Sequence, residues 1–152
     1  MVAAKKIQER TGCRWLIFGG KNDIELARGI AARIQQPGEG EKKESCSVIN
    51  LAGKTSLRAL CAGLRACEVL LTNDTGPMHV AAAVGTPVVV PFGSTSSELT
   101  GPGLPKNSDH TILRSTAPCS PCFLRECPID LRCMKQIEPE DVIAAVLAVV
   151  ER

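Results

Sequence analysis

The sequence predicts a doubly wound α/β fold built on a parallel sheet, and three observations carry that prediction. Short apolar runs bounded by turn residues recur along the chain, at residues 14–18, 47–51, 69–71 and 88–90. Strands buried on both faces by crossover helices read this way. Between these runs lie segments whose apolar residues recur at helical spacing, so that strand and helix alternate as β-α-β-α-β-α-β, followed by a short strand and a final helix. A chain of 152 residues is also long enough to bury one sizeable core, with no internal repeat or second domain visible.

Taken in order, residues 2–11 end a helix at Gly12, a residue that commonly stops one. A strand over 14–18 leads into Gly19-Gly20, and from about Asp23 to Gln35 the residues Ile24, Ala27, Ile30, Ala31 and Ile34 form one apolar face. The polar stretch 37–44 is a solvated loop. After the strand at 47–51, Thr55 or Ser56 is the expected cap of a helix carrying Leu57, Leu60, Cys61 and Leu64 on one stripe. The Gly53-Lys54-Thr55 triplet lacks the upstream glycine of a nucleotide-binding P-loop, because Val48 stands at that position inside a strand. Residues 91–105 form a long loop at a strand's carboxyl end, where ligands bind in open parallel sheets. Thr111, Ile112 and Leu113 are a short strand, residues 117–135 a cysteine-rich loop, and Glu138-Pro139-Glu140-Asp141 opens the last helix, with Val142, Ile143, Val146, Val149 and Val150 inward.

The chemistry concentrates in residues 70–90. Here a strand meets the polar turn Thr72-Asn73-Asp74-Thr75, then a small-residue helix opened by Gly76-Pro77, then a second strand. Proline suits the first helical turn, where its missing N–H would have had no partner. The remaining free N–H groups and the positive end of the helix dipole favour an anion such as phosphate. Asp74 would be repelled by that anion and is expected to accept hydrogen bonds from ligand hydroxyls or from the turn. His79, within the first helical turn, is placed to face the ligand and to donate a charge-assisted hydrogen bond. The bland alternative is that Asp74 only caps the helix and His79 only packs in the turn. Asp74-Thr75-Gly76 also matches the triplet of aspartic proteases, but those need a second carboxylate in an all-β setting.

The formal charge of +2, from 18 basic and 16 acidic residues, gives no reason to expect nucleic acid, and one Trp, three Phe and no Tyr argue against base stacking. No apolar run reaches membrane-spanning length and no signal-peptide core is present at the start, so a cytoplasmic location is expected. Eight cysteines are many for such a chain. Cys13, Cys46, Cys61 and Cys67 are scattered and read as small buried hydrophobes. Cys119, Cys122, Cys127 and Cys133 cluster, with one CxxC pair, and leave three alternatives open: a structural zinc, free thiols or a disulfide. A metal- or nucleotide-binding structural module without catalysis is the competing reading of the whole chain.

Residues 73–83, with Leu51-Ala52-Gly53-Lys54-Thr55-Ser56-Leu57 before them and Phe92-Gly93-Ser94-Thr95 after, closely resemble the bacterial lipopolysaccharide heptosyltransferases of glycosyltransferase family 9. The cysteine-rich stretch through Cys133-Met134 to Ile137-Glu138-Pro139 looks most like the heptosyltransferase II branch. The resemblance covers nearly the whole chain and implies a GT-B enzyme: two Rossmann-like domains facing across a cleft, with heptose moved from ADP-heptose to the lipopolysaccharide inner core. It implies that residues 1–152 are the C-terminal, donor-binding domain alone, without its first strand and the lysine loop after it, and without the N-terminal acceptor domain and its carboxylate base. By resemblance Asp74, Thr75, Gly76, Pro77, Met78 and His79 hold the sugar and diphosphate, Thr55 lies against the nucleotide, and Asn22 and Asp23 reach the ribose. His79 would stabilise the leaving group. No cofactor is required, activity of this chain alone is expected to be little or none, and the full-length enzyme is expected to touch the inner membrane surface where its lipopolysaccharide acceptor lies.

Overall fold

The computed structural model describes residues 1–36, 47–103 and 109–151. It divides into two compact units, residues 1–60 and 61–152.

In the first unit, α1 (Val2–Thr11) buries Ile7 and stops at Gly12, whose left-handed backbone (φ 62°) lets its N–H reach the Gln8 carbonyl. Strand β1 (Trp15–Ile17) pairs in parallel with β2 (Val48–Asn50), Trp15 opposite Val48 and Ile17 opposite Asn50. The crossover between them is α2 (Ile24–Gln35), entered through a single 3-10 turn at Lys21–Asp23, and α2 packs on β2. Its Ala27 and Ile34 are buried and Ile24, Ile30 and Ala31 half-buried, so the predicted stripe does face the sheet. The predicted loop at 37–44 and Cys46 lie outside the described residues.

Helix α3 (Leu57–Arg65) carries the chain into the second unit. Of its predicted stripe only Leu64 is fully buried, while Leu57 is 68% exposed. The second unit holds a three-stranded parallel sheet, β3 (Leu70–Leu71), β4 (Val88–Phe92) and β5 (Thr111–Arg114), with β4 in the middle. Val88, Val89 and Val90 are completely buried, as expected of a central strand covered on both faces. Leu70 and Leu71 are only half-buried, which corrects the expectation that 69–71 is buried throughout: β3 is the edge of its sheet and pairs with β4 alone among the described residues. Pro91 is tolerated in the middle strand because the Val89 carbonyl accepts the Thr72 N–H, so residues 89 and 91 turn toward β3, which has ended by residue 91.

Helix α4 (Gly76–Val84) connects β3 to β4 and ends at Gly85 (φ 83°), and α7 (Pro139–Val150) packs on β4 and β5. Inward-facing Ile143, Ala145, Val146 and Leu147 of α7 complete this core. Buried Thr86 donates from Oγ1 to the Leu64 carbonyl at 2.8 Å, fastening the end of α3 to the turn before β4. Among the described residues the strands pair as β1-β2 and as β3-β4-β5, all in parallel. The direction of every pairing and the helical crossovers are those of the predicted class.

Candidate functional site

In the second unit the loops that follow β3, β4 and β5 all leave the carboxyl ends of parallel strands. That is the edge where open α/β sheets bind ligands. The loop after β3 is Thr72-Asn73-Asp74-Thr75, and Thr75, in extended conformation, is the residue that precedes the first turn of α4. Its hydroxyl makes no capping bond to the helix and instead lies 3.3 Å from the Asn73 carbonyl and 3.4 Å from the Thr72 hydroxyl. Asp74 does not cap α4 either. Its Oδ2 accepts a 2.7 Å hydrogen bond from the hydroxyl of Thr100, at the end of α5 (Ser97–Thr100). The capping alternative for Asp74 is thereby excluded, and the helix start has no side-chain cap.

An uncapped helix start leaves its first N–H groups without intrahelical partners. Pro77 has none to offer, and the Met78 N–H is taken by the Thr75 carbonyl at 3.0 Å. The Gly76 N–H therefore remains at the mouth of the helix. Gly76 is exposed, its φ does not lie in the left-handed region, and a Cβ built there would meet no atom within 4 Å. Nothing in the fold itself requires glycine at this position. A group that approaches the backbone closely from outside would.

His79 is exposed one turn into α4, so it does not serve as packing within the turn. Met78, its neighbour, is completely buried, so it is the backbone of this residue that lies at the helix start. Thr75 and Pro77 are half-buried.

The loops after β4 and β5 are tied together. Ser120 Oγ donates to the Gly93 carbonyl at 2.6 Å and the Phe123 N–H to the Ser94 carbonyl at 2.7 Å. A Cβ on Gly93 would collide with Met134 Sδ and lie 3.3 Å from Cys133 Sγ, so glycine there lets the short helix α6 (Arg132–Lys135) approach the end of β4. The predicted loop at 91–105 thus contains the last residues of β4 and one helical turn, and residues 104 and 105 lie outside the described residues.

The first unit holds the other predicted site residues. Asp23 Oδ2 accepts the Gly20 N–H at 2.7 Å and so closes the 3-10 turn, a local structural task, while Asn22 is exposed. Ser56, not Thr55, caps α3, its Oγ accepting the Ala59 N–H at 3.2 Å. Thr55 is half-buried and its hydroxyl makes no hydrogen bond among the described residues, which leaves it available to a ligand. The turn before it is pinned by the Gly53 N–H on the Gly19 carbonyl at 2.9 Å, and Lys54 Nζ rests on the Asn50 carbonyl at 3.3 Å. The helix begins at Leu57, beyond the Gly-Lys-Thr triplet, which agrees with the rejection of a P-loop.

The four clustered cysteines stand at different depths. Cys133, within α6, is buried, Cys122 and Cys127 are exposed and Cys119 is half-buried. Among the described residues no three His, Cys, Asp or Glu side chains are placed to share one metal ion. Cys127 Sγ accepts the Leu131 N–H at 3.3 Å, and the backbone N–H groups of Ile129, Leu131 and Asp130 hold its thiol below the ordinary range. Cys13, Cys61 and Cys67 are half-buried and free, so the reading as small core residues holds only in part, and burial pushes the Cys67 thiol up. Among the described residues no helix is long and apolar enough to cross a membrane.

Comparison with known proteins converges on one family. Residues 3–132 match the family model for glycosyltransferase family 9 (heptosyltransferase). Lipooligosaccharide heptosyltransferase 2 of Campylobacter jejuni subsp. jejuni is 35% identical over 130 residues, which is 84% of this chain and 38% of that protein. Lipopolysaccharide heptosyltransferase 2 of Escherichia coli is 36% identical over 91 residues, 60% of this chain and 24% of its own. The solved structure of Escherichia coli ADP-heptose lps heptosyltransferase II superposes over 99% of this chain and 40% of that one, with a TM-score of 0.74 and 27% identity. A family 9 glycosyl transferase from Veillonella parvula gives a TM-score of 0.71 at 25% identity, again over 99% of this chain. The chain spans about two fifths of the length of these full structures. With the α/β architecture shared over its whole described length and the matched sequence running through both site loops, the chain belongs to glycosyltransferase family 9, the heptosyltransferases.

Proposed function

We propose that this chain is the nucleotide-sugar half of a heptosyltransferase, binding ADP-heptose for transfer of heptose to the lipopolysaccharide inner core. The single observation that carries the reading is the uncapped start of α4, where among the described residues the Gly76 N–H has no partner and His79 is exposed, and where the preceding carboxylate, Asp74, bonds Thr100 and not the helix. A helix start with free N–H groups favours the diphosphate, and a carboxylate set to one side suits sugar hydroxyls. The solved relative named for ADP-heptose supports that choice of donor.

Transfer is a displacement at the anomeric carbon in which ADP leaves as an anion. Preorganised donors aimed at developing charge are often a large share of catalysis. Gly76 N–H and His79 are the donors this chain supplies, and His79 adds a charge-assisted bond when protonated. The base that takes the acceptor's proton must lie within hydrogen-bond reach of the acceptor hydroxyl. We assign no residue of this chain to that role and place it with the acceptor-binding part of the longer enzyme, so the chain alone binds donor without turning it over. Any contact with the membrane surface belongs, in this reading, to the full-length enzyme. No metal enters the proposal.

The test is calorimetric titration of the chain with ADP and ADP-heptose, beside His79→Ala and Gly76→Ala. Both ligands should bind saturably, and both substitutions should weaken ADP. Because a Cβ at Gly76 meets nothing, Gly76→Ala should leave stability within about 0.5 kcal/mol, the scale of an uninvolved surface change. Loss of binding without loss of stability would separate a ligand's demand for glycine from the fold's. A folded chain that binds neither nucleotide, or a Gly76→Ala variant that binds ADP unchanged, would refute the assignment.

A further inference from the structure

We infer that Thr100 is a positioning residue for Asp74, setting which carboxylate oxygen the sugar meets; the inference rests on the donor-site reading above. Thr100 Oγ1 lies 2.7 Å from Asp74 Oδ2 and 3.0 Å from the Ser96 carbonyl. A hydroxyl has one proton. The shorter distance and the charge on the acceptor direct that proton to Asp74, since bonds to ionised acceptors are shorter and stronger. Oδ2 is thereby occupied, and the other oxygen of Asp74 accepts no hydrogen bond among the described residues. One carboxylate oxygen is held by the fold and its partner is presented.

The device spans 26 residues of sequence, so it exists only when the loops after β3 and β4 come together. It is also built with care on the Thr100 side. Helix α5 is a single turn in which the Ser96 carbonyl accepts both the Leu99 and Thr100 N–H groups, at 3.1 and 2.9 Å. Leu99 is 76% exposed, so burial of its own apolar residue does not hold the turn in place. At the next position a Cβ would run into the Ser97 carbonyl oxygen, so Gly101 lets the chain fold back directly behind Thr100. A hydroxyl on a tightly wound turn, aimed at a carboxylate in the adjacent loop, fixes the aspartate's rotamer in advance of the ligand. Preorganisation of this kind lowers the ordering cost of binding.

The deciding experiment compares wild type, Thr100→Val and Thr100→Ser by calorimetry with ADP and with ADP-heptose. Valine keeps the shape and removes the proton, while serine keeps the proton. Thr100→Val should weaken ADP-heptose about three- to tenfold, the size of one ordinary net hydrogen bond because the loss acts through Asp74, and leave ADP within about twofold. Thr100→Ser should recover the wild-type affinity for ADP-heptose. A general disturbance of the loop would instead weaken both ligands and not respond to serine, and that outcome, or unchanged ADP-heptose binding in the valine variant, overturns the inference. If wild type binds neither nucleotide, the donor-site reading fails on its own. The positioning claim is then judged by the Asp74 side-chain rotamer from NMR couplings: one fixed rotamer in wild type and serine that becomes averaged in valine upholds it, and equal couplings in all three overturn it.

Discussion

Gly53→Ala is expected to be among the more damaging single-atom additions in the first unit, and the structure separates its cost into two parts. Gly53 sits at φ 72°, in the left-handed region, and its ideal Cβ would lie 2.7 Å from Ile24 Cδ1 and 2.9 Å from Cγ1. The backbone conformation costs an L-residue about 1–2 kcal/mol. Forcing a methyl against a packed side chain costs about 1–3 kcal/mol, and the lower half applies here because Ile24 is half-buried and can turn its terminal methyl. The sum, about 2–4 kcal/mol, is a large share of the roughly 5–15 kcal/mol that holds a domain. Only the steric part depends on Ile24. In a double-mutant cycle, Ile24→Ala should therefore restore about 1–2 kcal/mol to Gly53→Ala, while the backbone part persists. Urea unfolding followed through Trp15, the single tryptophan and a residue of β1 in the same unit, measures each variant. Additivity within about 0.5 kcal/mol, the spread of independent sites, would show that the predicted clash is not the source of the cost. The same turn carries Thr55 and is pinned to Gly19.

Thr86→Val removes the 2.8 Å bond to the Leu64 carbonyl but leaves that carbonyl its 2.9 Å bond from the Cys67 N–H, so the loss should be about 1 kcal/mol, not the larger penalty of an orphaned group; denaturant titration showing a loss above about 3 kcal/mol would refute this. Thiol alkylation followed by mass spectrometry across pH should separate Cys127 from Cys67. The thiolate is the reactive form, so Cys127, held low by backbone N–H groups and exposed, should gain rate at lower pH than an ordinary thiol, and Cys67, pushed up by burial, at higher pH. A shared pH midpoint would contradict both directions.

Much of the site was legible in the sequence because it rests on local rules. Pro77 one residue into a helix, small residues in the turn before it and a strand on either side are short-range signals, and they locate α4 and its anion-favouring start without reference to the rest of the fold. The stripe of α2 and the inward face of α7 follow from spacing in the same way. The bond between Thr100 and Asp74 was not legible: Ser, Thr and Gly crowd residues 93–101, and no spacing rule marks which hydroxyl meets a carboxylate 26 residues away. The choice of Ser56 over Thr55 as cap was equally open, since either side chain suits the position and only the backbone path decides.

What the sequence by itself determined is therefore the alternation of strands and helices, the family, and the position of the α4 start, because each depends on neighbours along the chain. Tertiary structure alone decided the rest. It placed Met78 in the core, gave Asp23 a hydrogen bond within its own turn, set the four clustered thiols at different depths, made β3 a half-buried edge and gave Asp74 its partner. Side-chain direction, pairing partners and the choice among equivalent hydroxyls depend on which distant segments meet. Only the folded backbone brings those segments together.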